Sequence, residues 1–134
     1  MKTPYKKEFL FVYGTLKRGC RAFHFLKDEQ FFSEGYTVRK YGFVSFGDFP
    51  AVVKNLRPCF HVKGEIFLID GNKLSEIDEY ENCPYFYLRE SEKVVLLGTN
   101  TTIECFIYVL NTKNVKEGFS IMHSCEEFIE WKCS

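Results

Sequence analysis

Apolar positions come in short runs whose period changes along the chain. Phe9 to Tyr13 are apolar without interruption. That is the pattern of a strand buried on both faces, so a central strand is predicted over residues 8–13. Gly14 ends it. Phe23 and Leu26 stand three apart and predict a short helix over 22–27. Strands are predicted over 35–39, 43–46 and 51–53, separated by glycine and proline. A longer one covers 60–69, where Gly64 marks a bulge or a close backbone approach. Leu74, Ile77 and Tyr80 recur every three residues, as on one side of a short helix, and Cys83-Pro84 stops it. Strands resume over 86–97 and 103–110. Ser124 and Glu127 form a capping-box pattern, which predicts a terminal helix over 124–132 carrying Phe128 and Trp131 against the core. Many short strands with a few scattered helices give an α+β class with a curled or barrel-like mixed sheet.

Composition sharpens that picture in one respect. The chain has 134 residues, room for one core, and is read as a single domain over 1–134. Fifteen Phe, eight Tyr and one Trp make 18% of it aromatic, which favours strands around a ring-lined interior. Eighteen basic and eighteen acidic side chains cancel, so nothing favours nucleic acid as a partner. No apolar run is long enough to span a membrane or to act as a secretion signal, and a cytoplasmic, unprocessed chain is expected. Six cysteines include no C-x-x-C pair. Free, reduced thiols are therefore expected, and the spacing Cys59-x-His61 is a poor start for zinc. His24, His61 and His123 lack ligand spacing and are expected as surface or hydrogen-bonded residues.

Two segments can carry chemistry. In Tyr13-Gly14-Thr15-Leu16-Lys17-Arg18-Gly19 a buried strand runs into a glycine turn. Such a turn can present successive backbone N–H groups to a carboxylate or oxyanion, with Lys17, Arg18 and Arg21 adding positive charge. It reads equally as a plain tight turn with solvated basic side chains. In the segment from Ile77 to Arg89, Asp78, Glu79 and Glu81 lie beside four aromatic rings. Asp78 and Glu81 are three apart and share a helix face, while Glu79 points to water. The helix C-terminus, the like charge and the rings would each push the Glu81 carboxyl upward. A value near neutrality needs roughly 3.5 kcal/mol of destabilisation of the charged form and suits a general base. The competing reading is an acidic, solvated helix end.

Together these segments resemble the γ-glutamyl cyclotransferase-like superfamily, nearest its γ-glutamylamine cyclotransferase and avirulence-induced-protein (AIG2-like) branch. The family's Y-G-T-L-K-R-G loop stands here at residues 13–19. Its L-D-x-[FY]-E-x-x-x-x-[FY]-x-R signature stands at 77–89, lengthened by one residue and containing the Cys83-Pro84 pair of that branch. Phe49-Pro50-Ala51-Val52-Val53, Val62-Lys63-Gly64-Glu65-Ile66-Phe67 and Cys105-Phe106-Ile107-Tyr108 also fit, so the likeness spans about 9–110.

The resemblance implies a small mixed β-barrel flanked by short helices. It implies Glu81, not Glu79, as the catalytic glutamate, Tyr13, Gly14, Thr15 and Leu16 as the substrate-binding loop, and Tyr87 and Tyr108 on the pocket side. No metal or organic cofactor is implied, and a monomer acting on a small γ-glutamyl substrate is expected. The implied reaction is release of 5-oxoproline and a free amine from a γ-glutamylamine such as γ-glutamyl-ε-lysine. Alternatives are γ-glutamyl amino acids or glutathione as substrates, or a non-catalytic small-ligand module of the same fold. The stretch 54–61 is shorter than in that branch, which bears on the pocket wall over the leaving amine. The branch also has a longer C-terminal tail.

Overall fold

A computed structural model describes residues 6–133. Met1 to Tyr5, the start of the expected unprocessed N-terminus, lie outside the described residues. Nine strands and one α-helix follow in the order β1 (Lys7–Val12), β2 (Gln30–Thr37), β3 (Tyr41–Ser45), β4 (Pro50–Val53), β5 (Cys59–Asp70), α1 (Gly71–Tyr80), β6 (Tyr87–Leu96), β7 (Thr102–Leu110), β8 (Ser120–Ile121) and β9 (Phe128–Ile129). The class is α+β, with one helix against a large mixed sheet.

The strand order β1-β5-β2-β6-β7-β4-β3-β8 carries two further pairings, β1 with β7 and β3 with β5. The first returns the path from β7 to β1 through a parallel contact of Leu10 with Phe106. The second joins β3 to the start of β5 at Tyr41 and Phe60. The sheet thus curls back on itself, and β1 is flanked on both sides. Alternation along β1 explains its unbroken apolar run. Leu10 and Val12 enter one core cluster with Leu74 and Ile77 of α1. Phe11 and Tyr13 enter a second with Phe43, Ile66 and Ile107. Each such fully buried side chain contributes about 2 kcal/mol.

Helix α1 begins three residues before its predicted apolar repeat, because the Asp70 carboxylate accepts a hydrogen bond from the Lys73 amide at 2.9 Å. It ends at Glu81, and Asn82 follows in the left-handed region at φ 54°. Asparagine bears that conformation better than most residues, and it turns the chain toward β6. Gly64 proves to be a close approach. A Cβ there would lie 2.4 Å from the Val12 carbonyl oxygen and 2.7 Å from the Phe11 ring.

Three expectations are corrected. Residues 22–27 form only a 3₁₀ turn at Phe23–Phe25 within a run of turns. Residues 124–132 are not helical: Ser124 Oγ accepts from the Glu126 amide in a local turn, and β9 then runs parallel to β5 beside His61 and Val62. Trp131 still packs on Phe43, at 6.5 Å between ring centroids. The cysteines are not all free. Cys20 and Cys133 form a disulfide across 113 residues, tying the C-terminal segment to the turn after β1. Two isolated cysteines so far apart carry no spacing signal, and only the fold brings them together. Cys59, Cys83, Cys105 and Cys125 are free. No helix among the described residues is long and apolar enough to cross a membrane.

A Gly64→Ala protein is expected to lose about 1–3 kcal/mol, because the new methyl meets backbone that cannot move aside. A urea denaturation midpoint measures this, and an unchanged midpoint would remove the close approach as a constraint.

Candidate active site

The strand-to-turn segment after β1 is pinched at its two ends by one residue. Val12 pairs with Glu65 of β5. The chain then loops out through residues 13–17 and returns, so that the Arg18 amide donates to Glu65 Oε1 at 2.9 Å and Arg18 Nε lies 3.3 Å from Oε2. Arg18 also covers the Phe31 ring. Lys17 is not solvated either. It is buried, its ammonium donates to the Trp131 carbonyl oxygen, and burial lowers its pKa against the pull of Glu130. The two basic side chains of the turn are therefore anchors, and Arg21 alone of the three reaches the open space beside it.

That open space is a cavity of about 270 Å³. Tyr13, Gly14, Thr15 and Leu16 line it, as do Pro50, Glu81, Asn82, Tyr87 and Tyr108. The two segments singled out in the sequence thus meet across one cavity. Among the described residues the amide N–H groups of Gly14, Thr15 and Leu16 donate to nothing, whereas the carbonyls of Gly14 and Thr15 accept from Lys17 and Ala22 at 3.2 and 3.0 Å. Carbonyls turned inward and donors left over are what an anion-binding turn requires.

The tyrosine hydroxyls are engaged elsewhere. Tyr13 donates to the Tyr108 carbonyl at 2.7 Å and accepts from the Val52 amide at 3.1 Å, bridging β7 and β4. Tyr87 donates to the Pro50 carbonyl at 2.8 Å. Tyr108 donates to Asp78 Oδ1 at 2.6 Å. Burial raises all three phenols above their usual range, so they stay neutral. Their rings serve as walls.

Glu81 is left without a partner: among the described residues no donor or cation contacts its carboxylate. Glu81 is half-buried and lines the cavity among aromatic rings. Burial pushes its carboxyl up to about 7. Burial among the surrounding rings, one of the causes expected from the sequence, is the cause of that rise. Asp78 does not share the cavity. It is tied to Tyr108 and to Arg89 Nε at 3.1 Å, and so positions a wall residue. Glu79 is exposed, as expected.

The sequence reading missed part of the lining. Phe49, Phe86 and Asn82 are cavity residues, and no local pattern of apolar positions marks them as such. Residues 54–61, expected to bear on the pocket wall, are not among the residues that line the cavity. Lys54 pairs with Glu90 instead. His61 Nδ1 sits 2.8 Å from the Thr37 carbonyl, and no three of His, Cys, Asp and Glu converge among the described residues.

Residues 10–129 match the family described as "Gamma-glutamyl cyclotransferase, AIG2-like". The chain belongs to this family. A γ-glutamylaminecyclotransferase of Bos taurus is 33% identical over 110 residues, 77% of this chain and 66% of that protein. A putative γ-glutamylcyclotransferase of Drosophila melanogaster is 32% identical over 108 residues, 75% of this chain and 68% of that one. The crystal structure of an AIG2-like protein from Mus musculus superposes with a TM-score of 0.74 at 29% identity, covering 81% of this chain and 80% of the mouse chain. The α+β class and the curled sheet are thus those of an AIG2-like structure.

The unpartnered carboxylate has a thermodynamic signature. Glu81 binds its proton more tightly in the folded than in the unfolded chain, so stability falls as pH rises from 4.5 through about 7. Glu81→Gln is expected to raise stability by up to about 3 kcal/mol at pH 8 and to change nothing at pH 4. Denaturant titrations at the two pH values measure the difference. Equal values at both would mean that the carboxyl is not desolvated.

Proposed function

We propose that the cavity takes a γ-glutamylamine and releases its γ-glutamyl group as 5-oxoproline. The observation that carries this reading is the pairing of a burial-raised, partnerless carboxylate with three amide donors that lack acceptors, on the walls of one cavity. Family membership supports the same reaction class.

The substrate holds its own nucleophile. Its α-amine lies a few bonds from the side-chain carbonyl, and folding the chain into a near-attack conformer supplies several kcal/mol of the barrier. At neutral pH that amine is an ammonium and cannot attack. Glu81, with its affinity for protons near neutrality, accepts one. The freed amine forms the C–N bond of a five-membered ring, and the carbonyl becomes an oxyanion. Amide N–H groups of Gly14, Thr15 and Leu16 stabilise either this oxyanion or the α-carboxylate. Glu81 hands its proton to the departing nitrogen, and the amide C–N bond breaks. The ring nitrogen keeps one of the three ammonium protons. The other two leave on the amine, and Glu81 ends as the carboxylate it began as. The neutral tyrosines take no proton.

Incubation with γ-glutamyl-ε-lysine, γ-glutamyl-alanine and glutathione is expected to release 5-oxoproline, most from the first. Glu81→Gln should cut the rate at least about 100-fold. In the wild type, kcat/KM should fall with decreasing pH through a midpoint near 7 rather than near the ordinary carboxylate value. Full activity in Glu81→Gln would overturn the mechanism. No release from any of the three by folded protein would favour a binding module.

A further inference from the structure

Beside the ring-lined cavity lies a second recess of about 240 Å³, and the two share Thr15 and Arg21 as a common wall. Its other walls are Gly47 and Asp48, in the turn between β3 and β4, and Trp131, Lys132 and Cys133. The C-terminal segment is fixed there by separate ties. Cys133 is bonded to Cys20, the Trp131 carbonyl accepts from Lys17, and the Trp131 ring packs on Phe43.

The two spaces differ in character. The first is walled by rings and holds one carboxylate. The second is rimmed by charges: Arg21 and Lys132 positive, Asp48 negative. Arg21 Nη1 stands 3.8 Å from Asp48 Oδ2, and Lys132 Nζ stands 3.3 Å from Glu130 Oε1, whose other oxygen, Oε2, lies 4.0 Å from Lys17 Nζ. The lining side chains sum to one positive charge.

A γ-glutamylamine has two ends, and the reaction above accounts for one. With the γ-glutamyl group between Glu81 and the turn of residues 13–16, the amine substituent must leave the first cavity past one of its walls. On the side of Thr15 and Arg21 the neighbouring space is the polar recess, which shares both residues. We propose that this recess is the subsite for the departing amine, and that Lys132 and Asp48 make it favour amines bearing a carboxylate. The inference rests on the cyclotransferase reading of the neighbouring cavity and adds the residues that select the leaving group. Lys132 attracts an anionic substituent and Asp48 repels it, so the two residues act with opposite sign. Both are well exposed, and solvent screening holds each effect to a few-fold.

The test uses two amides that differ only in a carboxylate, γ-glutamyl-ε-lysine and γ-glutamylcadaverine. The quantity read is the ratio of their kcat/KM values for 5-oxoproline release. The wild type is expected to favour the lysine compound. Lys132→Glu should lower the ratio about 5-fold, and Asp48→Asn should raise it about 2-fold. Opposite movement of the two variants is the signature, since general damage to the protein would slow both substrates alike. A ratio unmoved by either variant, or moved the same way by both, overturns the subsite. Binding of both amides to Glu81→Gln by calorimetry reads the same preference without turnover. Absence of 5-oxoproline with a charge-dependent binding ratio would therefore sink the reaction and keep the subsite.

Discussion

The placement of the site depends on how closely β1 can lie against β5. At Gly64 there is no side chain between the strands, and the Val12 carbonyl occupies the space a methyl would need. The neighbouring Glu65 then grips both ends of the excursion that follows, Val12 by strand pairing and Arg18 by its amide and guanidinium. A turn clamped at both ends leaves its middle residues few options. The carbonyls of Gly14 and Thr15 accept from Lys17 and Ala22, and the amides of Gly14, Thr15 and Leu16, residues of the cavity wall, find no acceptor among the described residues. Backbone donors fixed in this way need no reorganisation when a charge develops near them, which is what makes them useful in catalysis.

The opposite wall follows the same logic with side chains. Three tyrosines could each have donated to Glu81, and such bonds would have favoured its charged form. Instead Tyr13 and Tyr87 hold backbone carbonyls and Tyr108 holds Asp78. Those bonds stitch β4, β6, β7 and α1 together and fix the rings as walls. One set of contacts thus does two jobs: it builds the seam between strands, and it denies the carboxylate a partner.

Legibility in the sequence tracked the range of the forces involved. Strand β1 and the chain from β5 to β7 were readable because an unbroken or alternating apolar run is a local signal of burial. Glu81 and the turn at 13–16 were readable through their motifs and the resemblance those carry. The start of β2 was not, because Phe31 and Phe32 lie next to each other at a register shift and break the alternation. The terminal segment was misread for a different reason. Ser124 and Glu127 do favour a helix locally, but the tie to Cys20, the Lys17 bond to Trp131 and the pairing with β5 draw the chain out, and all three are contacts over long sequence distance. The raised Glu81 carboxyl was legible in direction and in one cause, the neighbouring rings; the depth of its burial depends on contacts between distant strands.

An unsatisfied carboxylate is also a statement about ancestry. Most replacements in a protein destabilise it, so drift usually erodes a fold. At position 81 the arithmetic reverses: an amide or an apolar residue would relieve the desolvated charge above pH 7. A lineage released from any need for the chemistry would gain stability by losing this glutamate, and would have no counter-pressure to restore it. On the proposed reading, a glutamate at that position is kept against a stability gradient, and its replacement in a relative would mark a fold retained for something other than proton transfer.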